Sequence, residues 1–200
     1  MSYAIIGFGR VGQALAHSFA RSNIDVIVAS RQPPEALSPQ ARATGPTVIA
    51  KSLHDALEAD TIILAVPFGE HRVVAKALPC WEGKIIIDTM NTFGVTPEEL
   101  DGLASSAFVA KAFPGARLVK AFNHLGAATL ASDPIVEGGH RVVFLSSDDE
   151  DATAAVATLV KNLGFAPVQL GKLNEGGALV HARDRIWGPL VFQDLFKKAS

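Results

Sequence analysis

The 200-residue sequence has one cysteine, Cys80, which excludes an intrachain disulfide and a cysteine-built metal site. It also lacks an excess of either charge: 18 basic and 20 acidic side chains leave a net charge of −2. With a pI near 6.3 and no basic run, there is no electrostatic footprint for nucleic acid, and no polybasic anchor or acidic tail. No window of about 18 residues is free of charges and of Gly/Pro breaks, so neither a membrane span nor a membrane partner is expected. The N-terminus runs from a short apolar stretch straight into glycines and Arg10, unlike a signal peptide, and predicts a cytoplasmic protein. Also missing are a Ser-His-Asp arrangement, an H-E-x-x-H motif and a paired-carboxylate pattern. The acidic run at 146–151 suits a helix start, so no metal is predicted.

What the chain does have is apolar residues, 48% of the total, enough for one domain with its own core. Short β-branched runs at 3–6, 26–29, 47–50, 61–66, 84–88, 117–122, 141–145 and 167–170 are apolar on consecutive positions, as in strands buried on both faces. Between the first two, Val11, Leu15 and Phe19 recur at i, i+4, i+8 and predict an amphipathic helix over 11–22. Further helices are predicted at 53–59, 70–78, 97–112 and 149–163, the last ended by Gly164. Pro33, Pro34 and Pro39 mark a loop leaving the second strand. Alternating strands and helices imply parallel pairing through right-handed crossovers. The predicted fold is α/β: a doubly wound, mainly parallel Rossmann-type sheet over 1–171, with a short C-terminal helical appendage over 172–200.

The most specific local motif is Gly7-Phe8-Gly9-Arg10-Val11-Gly12, a G-x-G-x-x-G between a hydrophobic strand and an amphipathic helix. In that setting Gly7 permits the tight turn, Gly9 lets backbone N–H groups approach a pyrophosphate, and Gly12 allows helix and strand to pack closely. The helix N-terminus then faces the phosphates. An NAD-specific site keeps a carboxylate about 20 residues further on, at the end of the second strand. Asp25 stands at the start of that strand instead, and its end carries Ser30-Arg31. A guanidinium matches a 2′-phosphate, so NADP(H) is predicted over NAD(H), with Arg10 a second phosphate contact.

Ligands of doubly wound folds sit outside the carboxyl ends of the strands. Those ends read Ala65-Val66-Pro67-Phe68-Gly69-Glu70-His71, Asp88-Thr89-Met90-Asn91 and Lys120-Ala121-Phe122-Asn123-His124-Leu125-Gly126. Asn91 and Asn123 can hydrogen-bond a carboxamide or a heterocycle. His71 and His124 are the catalytic candidates, able to donate to a developing anion; polar loop surface is the alternative for each. Asp88 reads equally as a turn cap.

Together with Ile5-Ile6-Gly7-Phe8-Gly9-Arg10-Val11-Gly12 and Ala29-Ser30-Arg31, these strand ends resemble the coenzyme F420-dependent NADP oxidoreductase family. The resemblance implies hydride transfer between NADP(H) and the deazaflavin F420, the rings stacking at the strand C-termini. It implies a 2′-phosphate held by Ser30 and Arg31 and a nicotinamide bordered by Pro67, Phe68 and His71, with Ala65 and Val66 also expected at the cofactor and Phe68 reaching the acceptor. Asn123, His124, Leu125 and Gly126 would approach the acceptor ring. Ring-to-ring transfer draws its chemistry from the cofactors, which fits the missing acid–base constellation. The same core resembles the NADPH-binding part of ferric and flavin reductases, so a flavin, or another small-molecule acceptor, stays open. Two other readings are a carbonyl or imine reductase using His124 or His71 as proton donor, and a non-catalytic NADP(H)-binding redox sensor.

Over 186–196, Trp187, Leu190, Val191, Leu195 and Phe196 fall on one apolar face at helical spacing. Core packing is one reading. The other is a wall of the acceptor pocket, including Trp187 and supplied within the chain or across a homodimer, with Arg183 and Arg185 meeting an anionic tail. Only about 30 residues follow the last sheet strand, too few for the second domain that covers the nicotinamide in larger dehydrogenases.

Overall fold

The computed structural model describes residues 1–180 and 196–198. In chain order the elements are β1 (Tyr3–Ile6), α1 (Arg10–Arg21), β2 (Val26–Ala29), α2 (Pro34–Thr44), β3 (Val48–Ala50), α3 (Leu53–Ala56) and β4 (Thr61–Leu64). Then follow α4 (His71–Ala75), β5 (Ile85–Asp88), α5 (Ser105–Ala110), β6 (Arg117–Ala121), α6 (Ala127–Ala131), β7 (Ile135–Val136) and β8 (Gly139–Ser147). The last are α7 (Glu150–Asn162), β9 (Ala166–Gln169), α8 (Gly176–Leu179) and β10 (Phe196–Lys198).

The sheet is mainly parallel, as predicted, with six strands paired in the order β3-β2-β1-β4-β5-β6. The chain winds outward from β1 to β3 and then crosses back to β4 beside β1. A crevice therefore opens between the C-terminal ends of β1 and β4. Consecutive apolar residues serve both sheet faces: Ile5, Ile63, Ile85 and Ile87 enter one core cluster, and Ala4, Ile6, Ile62, Leu64 and Ile86 the other. Helix α1 sits on the first face through Leu15 and Phe19.

Several predicted elements differ from those observed. Strand β8 is antiparallel to β6: Ala121 faces Leu145 and Val119 faces Ser147, so β8 begins beyond the end of β6 and runs back along it without a crossover. The proline-marked loop after β2 is a helix, α2, because Pro33 sits at its N-cap and Pro34 at its first turn, where a missing N–H costs nothing. Pro39 lies inside α2, which is anchored by buried Leu37 and Ala41. The helix expected at 97–112 is broken by left-handed Asp101 (φ 54) and Gly102 (φ 71), leaving a 3-10 turn and α5. Those at 53–59 and 70–78 shorten to α3 and α4, the latter entered through a 3-10 turn at Phe68–Glu70. The acidic run does start a helix: Asp149 caps α7, its carboxylate accepting the Ala152 N–H at 2.7 Å.

Beyond Gly171 the glycine-rich turn folds into α8, and Leu173 and Val180 are both buried. The apolar face at 186–196, with Trp187, Arg183 and Arg185, lies outside the described residues except for Phe196. That residue begins β10, which pairs antiparallel with the start of β8 and so is strand where a helix was expected.

Candidate cofactor crevice

Gly7 has a φ of 99°, and a Cβ on it would lie 2.4 Å from the Ala65 carbonyl oxygen. Only glycine lets β1 turn this closely against the end of β4. A Cβ on Gly12 would lie 2.0 Å from the Gly7 carbonyl oxygen, so the helix reaches the strand only because that atom is absent. At Gly9 an added Cβ would meet nothing within 4 Å. Gly9 is the N-cap of α1, with no side-chain cap and no acidic residue in the first turn. The orphan N–H groups and the positive end of the helix dipole thus border open space. A pyrophosphate fits there, and the crevice has room for more: about 460 Å³ across the ends of β1, β2 and β4.

At the end of β2 the crevice is lined by Ser30, Arg31 and Gln32, with no carboxylate among them. Ser30 Oγ accepts the Gln32 N–H at 3.1 Å, shaping the turn that carries the exposed Arg31. Asp25 is exposed at the start of the same strand, as expected. Leu37 and Gln40 of α2 and Leu53 of α3 form the wall on this side. Ala65, Val66, Pro67, Glu70, Val73 and Val74 form the opposite wall. Phe8 is in the lining, whereas Arg10 and Val11 belong to the first turn of α1 behind it.

The remaining predicted residues gather differently. His71 does not line this crevice: it is 1% exposed, its Nδ1 bonds the Phe68 carbonyl, and its ring packs 5.1 Å from Phe68 and 6.2 Å from Phe108. Burial holds its pKa below the usual imidazole value, opposed by the Phe68 carbonyl and Asp88. Phe68 itself stacks on Phe108, 6.3 Å away, and is likewise absent from the crevice lining.

His124 is further still from the expected role. It is buried against Phe144, with Nε2 donating to the Val142 carbonyl at 3.2 Å, and burial pushes its pKa down to about 4. A neutral imidazole committed to the backbone is a core residue, so the expected catalytic or acceptor contact is corrected. Leu125 is also core, whereas Gly126 is exposed at the start of α6.

Asn91 and Asn123 do meet, but each other. Asn91 Nδ2 donates to the Asn123 carbonyl at 2.8 Å, and Asn123 Nδ2 donates to Asn91 Oδ1 at 3.2 Å and to the Val180 carbonyl at 2.5 Å. The pair joins the ends of β5 and β6 and ties the chain beyond α8 to them. Asn123 Oδ1 is buried with no hydrogen-bond partner, leaving one acceptor for a ligand N–H.

Sequence reasoning missed Lys120. Its ammonium is fully buried, 3.2 Å from Asp88 Oδ2, and donates to the Met90 carbonyl at 2.5 Å. Ser106 Oγ donates to the same Asp88 oxygen at 2.6 Å, and Asp88 Oδ1 accepts the Met90 N–H at 2.8 Å, the turn-capping role read for it. Burial drives the Lys120 pKa down and Asp88 pulls it back up. The signal was available: Asp88 ends the apolar run of β5, Lys120 follows Leu118 and Val119 in β6, and the strands pair so that Asp88 faces Lys120.

Fold and crevice define a dinucleotide-binding protein of the doubly wound α/β class. Residues 2–92, just under half of the chain, match the family described as NADP oxidoreductase, coenzyme F420-dependent. Metalloreductase STEAP3 of Rattus norvegicus is 29% identical over 174 residues, covering 84% of this chain and 33% of the relative. Metalloreductase STEAP2 of Mus musculus is 28% identical over 204 residues, covering 96% and 38%. The chain thus spans about a third of the length of these curated relatives.

Among solved structures, the hypothetical protein SMa0349 from Sinorhizobium meliloti is 41% identical, with a TM-score of 0.90 over 99% of this chain and 96% of that one. A proposed F420-dependent NADP-reductase from Arthrobacter sp. FB24 is 25% identical, with a TM-score of 0.73 over 90% of both chains. A reductive aminase from Aspergillus terreus, solved with NADPH and ethyl levulinate, shares the fold at 20% identity and a TM-score of 0.62, over 88% of this chain and 56% of that one.

Proposed function

We propose that the protein binds NADP(H) across the crevice at the ends of β1, β2 and β4 and passes a hydride between it and a flavin-like acceptor, F420 foremost. The observation that carries this reading is the pairing of an open glycine cradle at Gly9 with Ser30 and Arg31, without a carboxylate, at the end of β2. NADP(H), when bound, supplies or takes up the hydride. The chain's part is binding and orientation: α1 presents N–H groups to the pyrophosphate, and Arg31 forks the 2′-phosphate with Ser30 beside it. Ala65, Val66 and Pro67 flank the nicotinamide. Residues 1–171 serve as the NADP-binding unit, and 172–200 complete the acceptor pocket or a homodimer contact; the Asn123 bond to the Val180 carbonyl supports the former.

Reduction of a flavin or a metal substrate is the second reading, favoured by the similarity to metalloreductases. Carbonyl or imine reduction is disfavoured, because it needs a proton donor and neither histidine candidate is among the residues lining the crevice. The test is a titration with NADPH and NADH, followed by nicotinamide oxidation in the presence of F420, FMN, FAD or ferric chelate. We expect NADPH to bind at least about tenfold tighter than NADH, a gap of about 1.4 kcal/mol, and Arg31→Ala to close it. Equal affinities, or a preference that survives Arg31→Ala, would overturn the cofactor reading. Absence of turnover with F420 alone would shift the acceptor to the second reading.

A further inference from the structure

Helix α4 has two working faces. Glu70 at its N-cap, with Val73 and Val74, lines the cofactor crevice; His71, Arg72, Ala75 and Lys76 line a second hollow of about 370 Å³ between α4 and α5. The facing wall is Phe108, Lys111 and Ala112, at the same i, i+3, i+4 spacing as Arg72, Ala75 and Lys76. Ala75 and Ala112 leave the room, and the larger side chains supply one aromatic ring and three cations.

The charge there is unbalanced. Lys111 lies 3.6 Å from Asp101, while the Arg72 guanidinium rests over the Phe108 ring, 5.4 Å from its centroid. None of the residues lining this hollow is acidic. At the inner end is His71, whose Nδ1 faces the Phe68 carbonyl and whose Nε2 is buried without a hydrogen-bond partner. With its proton on Nδ1, the neutral ring offers Nε2 as an acceptor, and a buried polar atom left unpaired costs free energy that a ligand donor recovers.

We propose that the α4/α5 groove is a second small-molecule site, distinct from the cofactor crevice, for a hydroxyaryl carboxylate. Its ring fills the room left by Ala75 and Ala112 beside Phe108, its carboxylate meets Arg72 and Lys76 at the exposed rim, and its hydroxyl donates to His71 Nε2 at the inner end. Both rim cations are solvent-exposed, which keeps their substitution from disturbing the core.

The probe is 4-hydroxybenzoate, titrated calorimetrically into protein saturated with NADP+ and, separately, into nucleotide-free protein. The second arm reads the groove whether or not the cofactor assignment holds. We expect binding in both arms, tighter than benzoate by about threefold and tighter than phenol by about tenfold. The Arg72→Ala/Lys76→Ala variant should weaken it about tenfold or more, with its denaturation midpoint unchanged. Binding abolished by NADP+ would place the probe in the crevice and overturn the proposal. So would equal affinity for phenol, an unaffected double variant, or no binding at millimolar concentrations.

Discussion

Gly9 and Gly12, the N-cap and a first-turn residue of α1, carry different duties, and the structure separates them. The Gly12 Cα faces the Gly7 carbonyl, so the added carbon of Gly12→Ala forces α1 off β1; the space beside Gly9 is open. Gly12→Ala is expected to lower the urea midpoint markedly, at a cost of about 2–4 kcal/mol by analogy with overpacked and strained sites. Gly9→Ala should leave the midpoint nearly unchanged, since its φ of −76° suits alanine, yet weaken NADPH binding about tenfold or more by filling the pyrophosphate space. Paired urea curves and NADPH titrations check both; equal loss of stability in the two variants would contradict the assignment. These roles were legible because a glycine pattern between strand and helix reports backbone geometry directly. Side-chain roles were less so. Asn91, Asn123, His71 and His124 were placed at the right strand ends, but a sequence does not show which way a side chain turns at the end of a strand. Phe122, with a left-handed φ of 63°, opens a turn closed by the Leu125 N–H on its carbonyl, and His124 lies buried within that turn.

At the scale of elements, β5, β6 and α5 are joined by a charge pair that the apolar strand pattern hid. Lys120 and Asp88 are each fully buried, with Ser106 and the Met90 peptide completing the hydrogen bonds. Breaking such a pair leaves one bare charge in the interior, which costs about 3–5 kcal/mol, whereas replacing both partners by apolar residues of similar volume is often neutral. Lys120→Met is therefore expected to be much less stable than the Lys120→Met/Asp88→Leu double variant, a coupling readable as a double-mutant cycle in urea. Additive losses would show that the two charges do not depend on each other. The proline-marked segment departs from the expected loop for a different reason. Pro33 and Pro34 preceding Leu37 and Ala41 obey the rule for a helix start, but Pro39 six positions on argues against a helix interior, and burial of Leu37 and Ala41 prevails over it. Parallel strands β1 to β6 were read closely because a doubly buried strand must be apolar on both sides; β8 kept that pattern while reversing direction, which apolarity cannot encode.

For the whole molecule, the buried imidazoles make stability depend on pH. His124 titrates near 4 when folded against 6.5 when exposed, and burial moves His71 in the same direction. Between those pH values the unfolded chain takes up protons that the folded chain refuses. Folding stability is therefore full above about pH 6.5 and declines as pH falls toward 4. For His124 alone the loss is on the order of 3 kcal/mol, enough to matter in a domain whose total stability is about 5–15 kcal/mol. Hydrogen bonds from Ser52, Ser2 and Thr96 hold the carboxyls of Asp55, Asp60 and Glu99 below their usual values. Their contribution is lost as pH falls through the ordinary carboxylate range and below it. Urea midpoints across pH 4 to 8 should thus fall on the acid side, and His124→Gln, which keeps a donor for the Val142 carbonyl without an ionisable ring, should flatten most of that slope. An unchanged slope in this variant would mean that the imidazole reaches solvent and charges without unfolding. That result would return His124 to the surface and to the acceptor side, the place its position after β6 first suggested.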